Sequence, residues 1–312
     1  WMIGTGGMSG TVNDGRAHAG SKGLTGYTAF ARFLEMRGYE VGRGPRKAGG
    51  DRGGFFVLPP PADADGAQIE EAIRAHRPFG PVLVILPKWS SFPALADGRG
   101  DAVKQGWVEL GEPLTVGWRG NVASLGPLDV ELGKAGDRDA RWRGMGLSGR
   151  LPVPDAVQAI AGGRLVPMVE DARGNALAAR VDDDGPYPLG IVAEPDLLNN
   201  YGFARQESAL LALELVDALQ GGRRQPVQFD LVLNGHGRSA NLLTLAFTPP
   251  FLAATLCLLM AAAALGWRAI LRFGPPRKEE RAIAFGKTAL VANAAGLVRR
   301  TGRLHLLGVP LA

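Results

Sequence analysis

Side chains able to bind or react gather most densely in Glu194-Pro195-Asp196-Leu197-Leu198-Asn199-Asn200-Tyr201-Gly202. Asp196 offers a carboxylate, and Asn199 and Asn200 offer amides, to a ligand or to the backbone of a following helix. In doubly wound sheets, ligands collect beyond the carboxyl ends of the strands, where such a loop lies. The expected strand order brings Asp14 and Lys88 to the same edge. Asp14, Lys88, Asp196, Asn199 and Asn200 are therefore the candidate ligand-binding residues. Capping and turn formation is the plainer role for the same loop.

Other chemistry finds less support. Gly7-Met8-Ser9-Gly10 and Gly146-Leu147-Ser148-Gly149 both miss the spacing of a G-x-S-x-G nucleophile turn. The turn after the strongest strand is Pro87-Lys88-Trp89, without a nucleophile. Gly15 to Gly20 precedes Ser21-Lys22, the reverse of a phosphate-loop order, and Gly286-Lys287-Thr288 has Arg281 where the loop's first glycine belongs. Asp182-Asp183-Asp184-Gly185 supplies too few oxygen ligands for calcium and reads as a solvated turn. His18, His76, His236 and His305 show no ligand spacing, which argues against a structural zinc site. The one cysteine, Cys257, sits in an apolar run, so no thiol is available to the polar part of the chain. No catalytic residue, metal or cofactor is assigned.

The elements that must position the candidate residues read as α/β. Leu24 to Arg37 has helical periodicity ending at Gly38, and a short strand is expected at Tyr39 to Val41. Phe55 to Leu58 and Pro81 to Leu86 are continuous apolar strands flanking a helix at Ala67 to His76, the pattern of a doubly wound parallel sheet. From about 90 to 188 short alternating runs at Trp107 to Leu110, Leu114 to Trp118 and Asp129 to Leu132 indicate a β-rich insertion. It closes with a meander, Arg164 to Val169 and Ala176 to Val181. Leu189 to Ala193 returns to the core, Phe203 to Leu219 is a helix stopped by Gly221-Gly222, and Val227 to Leu233 is a half-exposed strand. Asn234 to Gly237 reads as a flexible joint.

No charged residue lies between Ala240 and Trp267, and a helix from Pro250 to Leu271 would be roughly 33 Å long, enough for a hydrocarbon core. Thr248, Pro249 and Pro250 suit its start, and Arg268, Arg272 and Gly274-Pro275-Pro276 its end. The pI of 9.6 arises from the segment beyond this helix. From Arg268 onward there are nine Lys or Arg against two Glu, leaving 26 bases and 28 acids in the first 267 residues. That distribution excludes a nucleic-acid groove on the globular part and predicts a cytoplasmic tail with the large domain outside. Lys278 to Leu307 carries apolar residues every seven positions and reads as a surface helix, placed on the inner leaflet or on a cytoplasmic partner. The organisation expected is a linker over 1–12, following an N-terminal anchor outside this sequence, an extracytoplasmic domain over 13–246, a transmembrane helix over 247–273 and a basic tail over 274–312.

Leu86-Pro87-Lys88-Trp89, the Glu194 to Asn200 run, Phe229-Asp230 to Gly235, Thr248-Pro249-Pro250-Phe251 and Arg272-Phe273-Gly274-Pro275-Pro276, with Glu280-Arg281 and Gly286-Lys287, form a set specific in combination. Together they resemble the domain-of-unknown-function 4350 family of bacterial membrane proteins over nearly the whole chain. The resemblance implies a class I glutamine amidotransferase-like domain that has lost its catalytic cysteine, held outside the cytoplasmic membrane. It also implies association with MoxR-type ATPase and von Willebrand-type proteins, and assigns no catalytic residue. The expected protein is a membrane-anchored binding or scaffolding module, with the lipid bilayer and a protein at the tail as partners. The alternative is a periplasmic hydrolase or transferase working with Asp14, Asp196 and Asn199.

Overall fold

The computed structural model describes residues 13–44, 53–94, 104–114, 116–134, 140–153, 155–162, 164–236, 246–247, 251–273 and 286–301. The chain divides into two compact units, 1–239 and 240–312.

The first unit is an α/β protein whose mixed sheet has a parallel core. The parallel strands are β1 (Val41–Arg43), β2 (Phe55–Leu58), β3 (Val82–Ile85), β12 (Leu189–Val192) and β13 (Val227–Phe229), in the spatial order β1-β13-β2-β3-β12. Every residue of β2, β3 and β12 is buried, as expected of strands covered on both faces. Helices α1 (Thr28–Met36) and α3 (Gln206–Gln220) pack with Phe55, Val57, Leu83, Ile85 and Phe229 on one face. Helix α2 (Gly66–His76) and 3₁₀ turns at Gly117–Asn121 and Ala123–Leu125 cover Phe56, Leu58, Val84 and Ile191 on the other. The alternation of side chains along each strand thus splits the core into two layers.

The expected insertion is β-rich, but most of it continues the same sheet. Beyond β12 run β11 (Ala176–Val181), β10 (Leu165–Asp171), β7 (Arg141–Gly144) and β8 (Leu147–Arg150), all antiparallel, with β6 (Asp129–Gly133) on β9 (Val157–Ala161) and β9 on β11. A separate ribbon joins β4 (Trp89–Pro93) to β5 (Val108–Pro113). The expected strand at Leu114 to Trp118 is absent among its described residues, and a 3₁₀ turn begins there at Gly117. Strands β4, β7, β8 and β9 have no counterpart among the expected elements. The β7–β8 hairpin turns at Met145 and Gly146, both with positive φ (55° and 76°), the backbone a two-residue turn needs for strand twist.

Two helices start later than their periodicity suggests. Leu24 and Tyr27 precede α1 in a bent loop, and Phe203 lies in a 3₁₀ turn, Gly202–Ala204, ahead of α3. The expected strand at Tyr39 runs instead from Val41. Gly221 ends α3 in the left-handed conformation at φ 63°.

The second unit contains α4 (Phe251–Phe273) and α5 (Lys287–Thr301). Over Phe251–Ala269, α4 is long and apolar enough to cross a membrane, and none of that stretch is buried. Its one hydroxyl-bearing side chain, Thr255, donates to the carbonyls of Ala246 (2.6 Å) and Phe251 (3.1 Å), so it presents no unpaired donor. Thr248 to Pro250, 274–285 and 302–312, which include both ends of the expected tail helix, lie outside the described residues.

Candidate functional site

Strand β3 ends in Leu86-Pro87-Lys88 and strand β12 in Ala193-Glu194-Pro195-Asp196, and the two strands are parallel neighbours. Both therefore deliver charges to the same end of the sheet. From β2 the chain passes to α2 on one face, and from β12 to α3 on the other, so β3 and β12 flank a switch in winding direction. Open α/β sheets bind ligands in such a crevice.

Here the crevice is filled by the chain itself. Lys88 Nζ donates to Glu194 Oε1 (2.6 Å) and to Asp196 Oδ2 (2.7 Å), and all three side chains have zero exposure. Asp196 Oδ1 also accepts from Trp89 Nε1 (2.9 Å) and Asn199 Nδ2 (2.6 Å). The second Glu194 oxygen accepts the Gln158 N–H (2.8 Å), and Gln158 Nε2 donates to the carbonyls of Ala193 (2.8 Å) and Pro87 (3.2 Å). Strand β9 thereby ties the ends of β3 and β12 together. The Lys88 ammonium also lies 4.7 Å from the Trp89 ring centre.

One ammonium between two carboxylates neutralises only one of them. Burial raises the Glu194 pKa to about 7, against the pull of Lys88 and with further push from the Asp196 charge. Burial opposes the charge on Lys88, but Glu194 and Asp196 outweigh it and hold its pKa above the usual value. Lys88 is thus a fixed cation, unsuited to act as a neutral amine nucleophile. A cavity of about 20 Å³ lies against Thr25, Tyr27, Lys88, Trp89 and Asn199, space for a single water. Tyr27 is fully buried and its hydroxyl pKa is pushed far above the ordinary range by burial, with Asp196 and Glu194 adding to it.

The loop after β12 is built for this role. Asn199 Oδ1 accepts the Gly202 N–H (2.9 Å), and a side chain at Gly202 would meet the Asp196 carbonyl oxygen at 1.7 Å. Only glycine fits there. Asn200 works elsewhere. Its Oδ1 accepts the Ala29 N–H (2.8 Å) and its Nδ2 donates to the carbonyls of Ser21 (3.0 Å) and Gly23 (2.6 Å). Tyr27, at the N-cap position of α1, makes no side-chain cap, so Asn200 caps that helix from 171 residues away.

Asp14 joins neither group. Its Oδ1 accepts the Arg16 N–H (2.9 Å) and faces His18 Nε2 (2.7 Å), while Oδ2 accepts Arg16 Nε (2.8 Å) and faces His236 Nε2 (2.9 Å). His18 Nδ1 accepts the Gly20 N–H (3.1 Å), which puts the ring proton on Nε2, pointing at Asp14. Burial opposes the Asp14 charge, but the donors from Arg16, His18 and His236 outweigh it and hold the pKa well below the carboxylate range. Burial likewise pushes the His18 pKa down, against the pull of Asp14.

These three residues have their ligand atoms within 4.8 Å of one another, the separation a metal ion needs. The donor set argues otherwise. Four N–H groups already fill the carboxylate, Arg16 places a cation on it, and a metal on His18 Nε2 would move the ring proton to Nδ1, against the Gly20 N–H. The cluster is a hydrogen-bonded clasp between the loop at 14–18 and the segment after β13. It corrects the expectation of a flexible joint at Asn234 to Gly237. Asn234 donates to the Pro59 carbonyl (2.9 Å) and His236 reaches Asp14, so the chain is tied down through 236; Gly237 lies outside the described residues.

Of the five candidate residues, the structure joins Lys88, Asp196 and Asn199, and sends Asn200 and Asp14 to separate tasks. Gln158, His18 and His236 are additions that the sequence pattern does not single out, and Glu194 and Trp89 join from the polar loop and the turn after β3 without being among the five. Glu194 was legible as a carboxylate directly after the apolar run Leu189 to Ala193. The pairing of His18 with His236, 218 positions apart, leaves no spacing signal.

No protein-family model and no curated protein matches the chain.

The arrangement can hold a fixed internal charge pattern and a proton near neutral pH. Asp183 of the acidic turn pairs with Arg77 through both carboxylate oxygens, which lowers its pKa, so it serves as an anchor rather than a free ligand.

Proposed function

We infer that this protein is a membrane-anchored, non-catalytic binding or scaffolding module, its α/β domain outside the cytoplasmic membrane and its basic tail inside. The observation that carries the reading is the Lys88 ammonium, which occupies the crevice between β3 and β12 where a substrate would sit. A second support is the outward-facing apolar surface of α4, with Leu258 72% and Leu265 69% exposed, which needs a solvent other than water. In this reading the fold is a doubly wound, glutamine amidotransferase-like domain of the 4350 type without its nucleophile, working beside a MoxR-type ATPase system. The charge distribution favours 274–312 in the cytoplasm.

Affinity purification from native membranes tests the reading. Deleting 278–312 is expected to reduce co-purifying protein while membrane insertion survives. Unchanged co-purification removes the tail as a docking element. The hydrolase or transferase alternative draws on Glu194, whose pKa of about 7 suits acid–base work. Asp196→Ala with Asn199→Ala distinguishes the two. Turnover lost with partner capture intact means catalysis, whereas capture intact in a folded variant whose parent turns over nothing on any substrate panel means scaffolding through another surface.

A further inference from the structure

Resting on the membrane-anchored reading, we propose that α5 lies on an anionic phospholipid surface, held there by apolar burial and by arginine contacts to lipid phosphates. At 100° per residue, Leu290, Val291, Ala294 and Leu297 fall on one arc about 120° wide. Leu290, Val291 and Leu297 are 77%, 67% and 67% exposed, so this face is not consumed within the described residues of its unit. Arg299 and Arg300 leave the last turn on the two flanks of the opposite face, from which long side chains reach headgroups while the stripe sinks into the acyl boundary.

Two observations select the occupant. The first is charge. After Glu280 the sequence carries Arg281, Lys287, Arg299, Arg300 and Arg303 and no acid, a complement to a negative surface. The second is continuity. Only residues 274–286 separate α5 from α4, so a fully stretched connection reaches at most about 45 Å and keeps α5 beside whatever α4 enters. A helix about 22 Å long with a moderate apolar stripe and flanking cations fits the interface plane better than a span.

The test uses the full-length protein with Cys257→Ser and a single new cysteine, Leu297→Cys, carrying an environment-sensitive fluorophore. The protein is placed in nanodiscs of phosphatidylcholine alone, or with about a third phosphatidylglycerol. The expected result is a blue shift and protection from an aqueous quencher in the anionic discs only. Each of Arg299→Gln and Arg300→Gln should lower the docked fraction about fivefold, and 1 M salt should abolish it, since the Debye length then shrinks to ~3 Å. A label equally exposed in both lipids overturns the proposal, as does shielding that ignores lipid charge. Shielding seen only when native membrane proteins are present also overturns it and assigns the face to a protein. A parallel label at Leu259→Cys should be shielded in both lipids. If it is water-exposed, the membrane-anchored reading itself fails, which separates that failure from one confined to α5.

Discussion

Two polar clusters stand beyond the carboxyl ends of the parallel strands, and they treat water differently. Around Lys88, three charged side chains with zero exposure satisfy one another, and burial pushes the Glu194 pKa up to about 7 against the pull of Lys88. Around Asp14, the carboxylate is partly open to solvent and is saturated by neutral and charged N–H donors. The first welds two neighbouring strand ends and has no room for a ligand. The second fastens the loop at 14–18 to the last described stretch before residue 237. Burial decides the difference: a fully dry ion cluster fails badly when one member is lost, whereas a clasp whose carboxylate is partly exposed loses less.

That contrast sets an order of effects. Lys88→Ala should be the most damaging change, because it leaves two buried carboxylates without a cation. A loss of about 3–5 kcal/mol is expected, seen as a fall of roughly 10 °C in thermal unfolding of the full-length protein. A fall of a degree or two would mean that water enters the cluster.

Next comes pH. Because the folded-state pKa of Glu194, about 7, lies above the ordinary 4.5, the folded protein holds the proton more tightly than the unfolded chain. Its contribution to stability is full below pH 4.5 and is lost as pH rises through 7, by up to about 3 kcal/mol. Subtracting the Glu194→Gln stability profile from that of the parent isolates this slope from the opposite one of His18. Parallel profiles would remove the proton from Glu194.

Asp14→Ala ranks third, at about 1–2 kcal/mol, since the exposed Arg16 can turn to water while the buried His18 loses its acceptor. The lowered pKa of Asp14 gives a contribution present above the unfolded carboxylate pKa and lost only in strong acid, so parent and variant should converge there. His236→Ala should be the mildest, at about 0.5–1 kcal/mol, with faster amide hydrogen exchange confined to 231–236. Exchange speeding across β3 or β12 instead would merge the two clusters into one.

Strands β2, β3, β11 and β12 are legible in the sequence within a residue or so, because unbroken or alternating apolar runs bounded by turn residues allow few other structures. Strands β4 and β7 to β9 are not legible there, although Arg141-Trp142-Arg143 alternates across the sheet around a buried Trp142. Helix α1 starts later than its periodicity because the residues before Thr28 are held by Asn200, a contact no local pattern reveals. Lys88, Asp196 and Asn199 were legible as a group from strand order, since parallel neighbours send their following residues to one edge. The Asp14 clasp depends on packing across 222 residues and had no local signal.

The Lys88 cluster holds the fold together rather than a ligand, and one variant addresses this directly. Lys88→Met, Glu194→Gln and Asp196→Asn together remove all three charges while keeping size, a replacement that buried ion clusters tolerate when packing is kept. Co-purification of the full-length triple variant from native membranes is the measurement. The account predicts the same set of associated proteins as the parent. A folded, membrane-inserted variant that loses those partners would contradict it by making the cluster the binding site. A variant that keeps the partners but loses a substrate-turnover signal present in the parent would contradict it by making the cluster catalytic.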